Sequence, residues 1–140
     1  MAKNEAKTDI DLFNYLTNSK NFSKTWVPKK TKNKHVQEVL SKATKSDTEE
    51  NRGEPDLIYL NEDKRILILV ENKDKIKDHK SKNCDKPKDF AVDGIKHYLK
   101  FFLKNKLISL SETSQKYLLD YRIIGIAFSG DINDSLNHLI

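Results

Sequence analysis

The chain has 140 residues, of which 34% are charged and 36% hydrophobic, and its net charge at pH 7 is +5. This length predicts one domain with a single modest core. Cys84 is the single cysteine, which excludes an internal disulfide framework and favours a reducing cytoplasm. No apolar run approaches the roughly 20 residues needed to span a bilayer, so no membrane partner is expected.

Lysine carries almost all of the positive charge, since only Arg52, Arg65 and Arg122 are arginines. Lysine neutralises phosphates as a point charge, whereas arginine reads base edges through its planar fork. The balance favours a polyanionic partner that is contacted through its backbone. A lysine-rich composition is also typical of an AT-rich genome, and composition alone does not separate the two interpretations.

Hydrophobic periodicity predicts an α/β fold with elements in the order α-β-β-β-α-β and a long helix crossing between the last two strands. The segments predicted to be helical are 9–18, 33–44, 90–107, 115–119 and 136–140. The segments predicted to be strands are 56–60, 65–73 and 120–129. Residues 1–32 are expected to form an N-terminal helix and a basic loop, and residues 33–140 the core of a single domain.

Two of the predicted strands bring acidic and basic groups to one place. Asp56 follows Pro55 at the start of one strand, and Glu71 ends the apolar run of the next. Because side chains alternate along a strand, Lys73 projects from the same face as Glu71. A hairpin in register about the turn at 61–64 places Asp56 near the end of the next strand, between Leu69 and Glu71.

Two carboxylates at the end of a buried hairpin are costly unless they hold a hard cation. Mg²⁺ prefers oxygen ligands and keeps several waters, so Asp56, Glu71 and the backbone carbonyl of Asn72 suffice as protein ligands. Such a site supports metal-assisted hydrolysis of a phosphodiester, with Lys73 stabilising charge rather than acting as a base. The alternative is structural: Asp56 starts a strand, and residues 71–73 are the solvated end of the next.

The pair of motifs Pro55-Asp56 and Glu71-Asn72-Lys73 resembles the PD-(D/E)xK nuclease superfamily, whose core is a mixed sheet flanked by helices. The resemblance implies a restriction-endonuclease-like core and a cytoplasmic endonuclease that cuts DNA with Mg²⁺ or Mn²⁺. It also implies that Asp56, Glu71 and Lys73 are catalytic, and that Asp56, Glu71 and Asn72 bind the metal.

Two further stretches, 90–98 and 124–130, look like the helix and strand that follow the active site in type I and combined restriction–methylation (type IIG-like) enzymes. They imply a restriction-type activity. Glu38 lies on the helix where many members carry an acidic residue that completes the metal site. Gly94 stands where some members have a glutamine, so that residue's phosphate contact is not expected here. The candidates to replace it are Lys96, His97 and Lys100.

Basic side chains around the site are expected to contact the phosphate backbone, and they are Lys75, Lys77, Lys96 and Lys100. The resemblance implies a DNA partner and either a homodimer or the N-terminal part of a longer polypeptide with methyltransferase or specificity domains. Three alternatives stay open. They are an inactive nucleic-acid-binding module of the same fold, a structure-selective nuclease such as a junction resolvase, and a basic interaction domain with solvated carboxylates.

Overall fold

A mixed four-stranded sheet organises the computed structural model, which describes residues 33–43 and 54–130 and, at 26–28, 104 and 105, the backbone alone. In spatial order the strands are β1 (Trp26–Pro28), β2 (Leu57–Asn61), β3 (Ile66–Lys73) and β4 (Arg122–Ser129). β2 is antiparallel to both β1 and β3, whereas β4 is parallel to β3. The mixed α/β class is therefore confirmed, and β3 lies inside the sheet with a neighbour on each side.

The predicted hairpin of β2 and β3 forms, and its turn lies at 62–65 rather than at the predicted 61–64. Leu57 pairs with Val70 at one end, and Asn61 pairs with Ile66 at the other. In the turn, the side chain of Asn61 accepts a hydrogen bond from the backbone N–H of Lys64 at 3.0 Å, which is the usual way in which asparagine stabilises a tight turn. The turn fixes which residues face each other at the far end of the hairpin.

Four α-helices flank the sheet in the described residues, and they are α1 (Lys34–Ser41), α2 (Ala91–Lys100), α3 (Lys104–Leu107) and α4 (Glu112–Leu119). The side chain of Asn33 caps α1 by accepting from the N–H groups of His35 and Val36, both at 3.0 Å, as predicted from its residue type. The predicted helices at 9–18 and 136–140 lie outside the described residues. No helix in the described part of the chain is long and apolar enough to cross a membrane.

The long helix predicted over 90–107 is wrong in its second half. α2 ends at Lys100, and Leu103 takes an extended conformation with ψ of 146° before α3 begins. The bend brings Phe102 and Leu107 into the core, where both are 7% exposed. A straight helix spreads its apolar positions along one stripe, so periodicity alone does not reveal such a bend.

The order of elements also differs from the predicted α-β-β-β-α-β. Among the described residues it is β-α-β-β-α-α-α-β, because β1 precedes α1 in a segment that was predicted to be a loop. β1 has three residues and ends with Pro28. A strand this short gives no readable alternation, and proline is tolerated because β1 pairs only with β2 among the described strands.

The core lies between one face of the sheet and the helices. Leu67 and Leu69 of β3 project from that face and pack with Ile95 of α2. α2 approaches β4 so closely that a Cβ on Gly125 would lie 2.7 Å from a methyl carbon of Leu99. A side chain at that position would displace the side chains of Leu99 and Ile95, so glycine permits this close packing.

Candidate active site at the end of the hairpin

Asp56 and Glu71 face each other at the open end of the hairpin. The ladder ends with Leu57 opposite Val70, so the next pair outward is Asp56 and Glu71. Side chains that are opposite each other in an antiparallel pair lie on the same face with Cβ atoms about 5 Å apart. Glu71 is 3% exposed and Asp56 is partly buried. The structure thus brings the two predicted carboxylates together.

The backbone of Asn72 joins this pair. Its N–H donates to Oδ2 of Asp56 at 2.7 Å. In an extended strand the N–H and C=O of one residue point to the same neighbour, so the carbonyl of Asn72 also faces the Asp56 side. The carbonyl of Lys73 points the other way, because it accepts from the N–H of Gly130 at 2.9 Å. The predicted oxygen of Asn72 therefore lies on the side where the carboxylates are.

Lys73 is held in place by the loop that follows β3. Its Nζ donates to the backbone carbonyl of Lys88 at 2.9 Å, and alternation along β3 places its side chain on the same face as Glu71. Lys73 is therefore anchored to this loop at the end of the strand that also carries Glu71. The three residues that were predicted to be catalytic are on one face at one end of the hairpin.

Tyr98 is a neighbour of this site that the sequence analysis missed. It is 2% exposed, and it forms a hydrogen bond with the backbone of Glu54. Burial raises the pKa of Tyr98, and the negative charge of nearby Asp56 raises it further, so the hydroxyl stays neutral. The available signal was a tyrosine on the apolar stripe of α2, because a buried hydroxyl needs a polar partner.

Asp93 fixes the shape of the loop between β3 and α2, and it was also missed. This buried carboxylate accepts from the N–H groups of Ser81 at 3.1 Å and Lys86 at 2.9 Å, and from the Ser81 hydroxyl. The thiol of Cys84 lies 3.5 Å away. Burial raises the pKa of Asp93, but the hydrogen bonds outweigh it and lower the pKa to about 2.

The carboxylate of Glu38 binds residues at the start of α4. Its carboxylate accepts from the N–H and the hydroxyl of Ser111, both at 2.9 Å, and from the hydroxyl of Ser114 at 3.3 Å. The hydrogen bond from the Ser111 backbone is the main reason why the pKa of Glu38 is lowered. Both oxygens therefore bind the start of α4 and not the Asp56–Glu71 pair.

Glu38 thus fastens α1 to α4 along a groove of about 640 Å³. In the same groove, His35 stacks on Tyr117 with ring centroids 4.2 Å apart. Nδ1 of His35 also lies 2.9 Å from the hydroxyl of Ser114. These contacts describe a packing interface between two helices, and they do not support the predicted role of Glu38 as a metal ligand.

The predicted phosphate-binding lysines lie in or next to two elements, the 3₁₀ turn after β3 and the helix α2. Lys75 immediately precedes the 3₁₀ turn Ile76–Asp78 that follows β3, and Lys77 is exposed within that turn. Lys96 and Lys100 are exposed on α2. Lys77, Lys96 and Lys100 are accessible to a polyanion, whereas Lys75 is partly buried.

Two other residues of α2, His97 and Gly94, are involved in the packing of this helix. Nε2 of His97 lies 3.2 Å from the carbonyl of Ala43, and its ring contacts Phe101 edge-on. This histidine therefore joins α2 to the end of α1. Gly94 is buried and has no side chain with which to contact a ligand.

A divalent ion would have few protein ligands at this site. Within residues 33–43 and 54–130, no three histidine, cysteine, aspartate or glutamate side chains are arranged to hold a metal. Mg²⁺ binds with one or two carboxylates, water and substrate phosphate. Asp56, Glu71 and the carbonyl of Asn72 fit that requirement, because all three are oxygen donors on one side of β3.

Comparisons with family models, curated proteins and solved structures find no match to this chain.

Proposed function

We propose that the chain is a metal-dependent endonuclease domain that hydrolyses DNA phosphodiester bonds. The observation that carries the proposal is the opposition of Asp56 and Glu71 at the end of the hairpin, with the N–H of Asn72 on Asp56. Two like charges opposite each other on a sheet are unfavourable. An arrangement of this kind is retained where a cation is bound or where chemistry requires it.

Each residue has a distinct role in this proposal. Asp56 and Glu71 would hold the ion, with the carbonyl of Asn72 as a further oxygen. Bound Mg²⁺ supplies polarisation of the scissile phosphate and a lowered pKa of a coordinated water. The ammonium of Lys73, oriented by the carbonyl of Lys88, would stabilise the negative charge that develops on the phosphate.

The substrate follows from charge and from the resemblance to restriction nucleases. The chain has a net charge of +5, and Lys77, Lys96 and Lys100 are exposed. Lysines bind the phosphate backbone without reading sequence. We therefore propose double-stranded DNA as the substrate, in a restriction-type reaction, with sequence recognition supplied by a partner copy or a fused domain.

One observation favours a second candidate, a nucleic-acid-binding module that does not hydrolyse its ligand. Glu38 binds Ser111 and Ser114 of the α4 start, so the site has two acidic side chains where the resemblance implies three. A site with fewer charged ligands holds a divalent ion more weakly. Such a module would bind DNA in a salt-sensitive way and leave it intact.

Nicking of supercoiled plasmid with Mg²⁺ or Mn²⁺ tests the proposal. We expect the wild type to nick the plasmid, whereas Asp56→Ala and Lys73→Ala lose nicking and keep DNA binding in a mobility-shift assay. Lys64→Ala is the matched control, because Lys64 is exposed in the turn at the opposite end of the hairpin. Equal nicking by all four proteins would reject the assigned site. Binding without nicking by the wild type would select the second candidate.

A further inference from the structure

The end of β4 adds a polar side chain to the edge where the site lies. Lys73 of β3 is in register with Ser129 of β4. Paired residues of neighbouring parallel strands are about 4.8 Å apart and project from the same face. The hydroxyl of Ser129 therefore lies one strand beyond Lys73, on the side away from Asp56.

His79 reaches this position from the loop after β3. Its Nδ1 lies 2.8 Å from the hydroxyl of Ser129. Its backbone is fixed as well: the carbonyl accepts from the N–H of Val92 at 2.7 Å, and the N–H donates to the carbonyl of Ile76 at 3.1 Å. The side chain is exposed. Because Nδ1 faces Ser129, Nε2 is the nitrogen that a ligand arriving from solvent would meet.

The acidic and basic side chains at this edge of the sheet therefore follow a fixed order from β2 to β4. Asp56 and Glu71 are at the β2 side, Lys73 follows on β3, and His79 is beside the end of β4. A phosphodiester whose scissile group lies over the two carboxylates continues across Lys73 towards His79. The imidazole of His79 would then be placed to donate a hydrogen bond to the next phosphate along that strand.

We propose that His79 binds the backbone phosphate next to the scissile one, with Ser129 as the positioning residue that fixes the imidazole ring. This inference rests on the proposed endonuclease function. It assigns the direction in which the DNA strand crosses the site: the scissile phosphate lies towards β2 and its neighbour towards β4. A contact that binds the substrate equally before and during the reaction lowers KM and leaves kcat unchanged.

Cleavage kinetics on a duplex oligonucleotide measure this contact. A charge-assisted hydrogen bond is worth roughly tenfold in an equilibrium constant, so His79→Ala should raise KM about tenfold with kcat within about twofold. Ser129→Ala should raise KM by a smaller factor. Lys80→Ala is the control, since it removes an exposed positive charge from the same loop, and it should change KM by less than about twofold.

Neutralising one phosphate at a time identifies the partner and does not require turnover. Oligonucleotides with a methylphosphonate at each position around the cut would be bound in Ca²⁺ and followed by fluorescence anisotropy. We expect one position at which the wild type loses about tenfold in affinity and His79→Ala loses nothing further. Equal losses in both proteins at every position, or an unchanged KM in His79→Ala, would overturn the assignment of His79. An active wild type with this result would leave the proposed function standing.

Discussion

Asp93 and the Asp56–Glu71 pair are carboxylate sites at the two ends of one loop, and their surroundings are opposite. Asp93 is a single buried charge that accepts from two backbone N–H groups and a hydroxyl. Asp56 and Glu71 are two charges placed against each other, with the ammonium of Lys73 on the same face. Asp93 is surrounded by several donors, whereas Asp56 accepts from the N–H of Asn72 and lies at the hairpin end with Glu71 and Lys73.

The difference separates a carboxylate that holds the fold together from carboxylates held for a ligand. A buried charge surrounded by hydrogen-bond donors stabilises the folded chain, because its pKa falls and its loss leaves those donors unsatisfied. Like charges that lie opposite each other on a sheet repel, and a bound cation would relieve that repulsion. The two sites should therefore respond to substitution in opposite ways.

The largest effect is expected for Asp93→Ala. The substitution leaves the N–H groups of Ser81 and Lys86 without their acceptor, and we expect the free energy of unfolding to fall by about 3 kcal/mol. Urea denaturation measures the change. Asp89→Ala removes an exposed carboxylate from the same loop and should change stability by less than about 0.5 kcal/mol. Similar losses in the two variants would contradict the role assigned to Asp93.

The pH dependence of stability should come next in size. The pKa of Asp93 is about 2 in the folded chain, below its ordinary value of 3.8. Its contribution is therefore complete above about pH 4 and is lost as the pH falls towards 2, a loss of about 2 kcal/mol. Glu38, whose pKa is also lowered, adds to the loss in the same direction. Stability measured between pH 5 and 2 should fall less steeply in Asp93→Asn than in the wild type.

The Glu38→Gln variant distinguishes a role of Glu38 in joining α1 to α4 from a role in catalysis. The amide keeps one acceptor oxygen and loses the charge, so the hydrogen bonds from Ser111 weaken, and we expect a loss of about 1 kcal/mol in stability. Plasmid nicking should remain within about threefold of the wild type when both are measured below the melting temperature. Abolished nicking with unchanged stability would return Glu38 to the metal site that the sequence predicted.

The smallest effect on stability is expected at the hairpin end, and it should have the opposite sign. Asp56→Asn keeps an acceptor for the N–H of Asn72 and removes one of two opposed charges. We expect a gain of up to about 1 kcal/mol without divalent ions. Mg²⁺ should raise the melting temperature of the wild type, because an ion that binds the folded chain stabilises it. It should not raise that of Asp56→Asn, which lacks one of the two proposed carboxylate ligands. A marked loss of stability in Asp56→Asn would show that the pair is structural.

The hairpin and the shared face of its end residues followed from the sequence, although the turn begins one residue later than predicted. The apolar run of β3, the turn at Asn61 and the alternation of side chains together predicted that Asp56, Glu71 and Lys73 share one face. These signals are local, since a turn sets the register of the strands on both sides of it. The cap of α1 at Asn33 was predictable for the same reason.

The contacts that shape the rest of the site are not local. Asp93 binds residues 7 and 12 positions away, and Glu38 binds Ser111 at a separation of 73 residues. No spacing in a single sequence encodes partners at that distance. The bend at Leu103 and the three-residue β1 were missed because a short interruption or a short strand leaves the hydrophobic period intact.

Plasmid nicking by Asp56→Asn in Mg²⁺ is the most direct test that the opposed carboxylates form a catalytic centre. The amide preserves the hydrogen bond from Asn72, so the fold is kept while the charge is removed. Asp63→Asn, an exposed residue in the turn at the other end of the hairpin, is the matched control. We predict that the wild type and Asp63→Asn nick supercoiled plasmid and that Asp56→Asn is at least about a hundredfold slower. Nicking by Asp56→Asn at the wild-type rate would contradict the account.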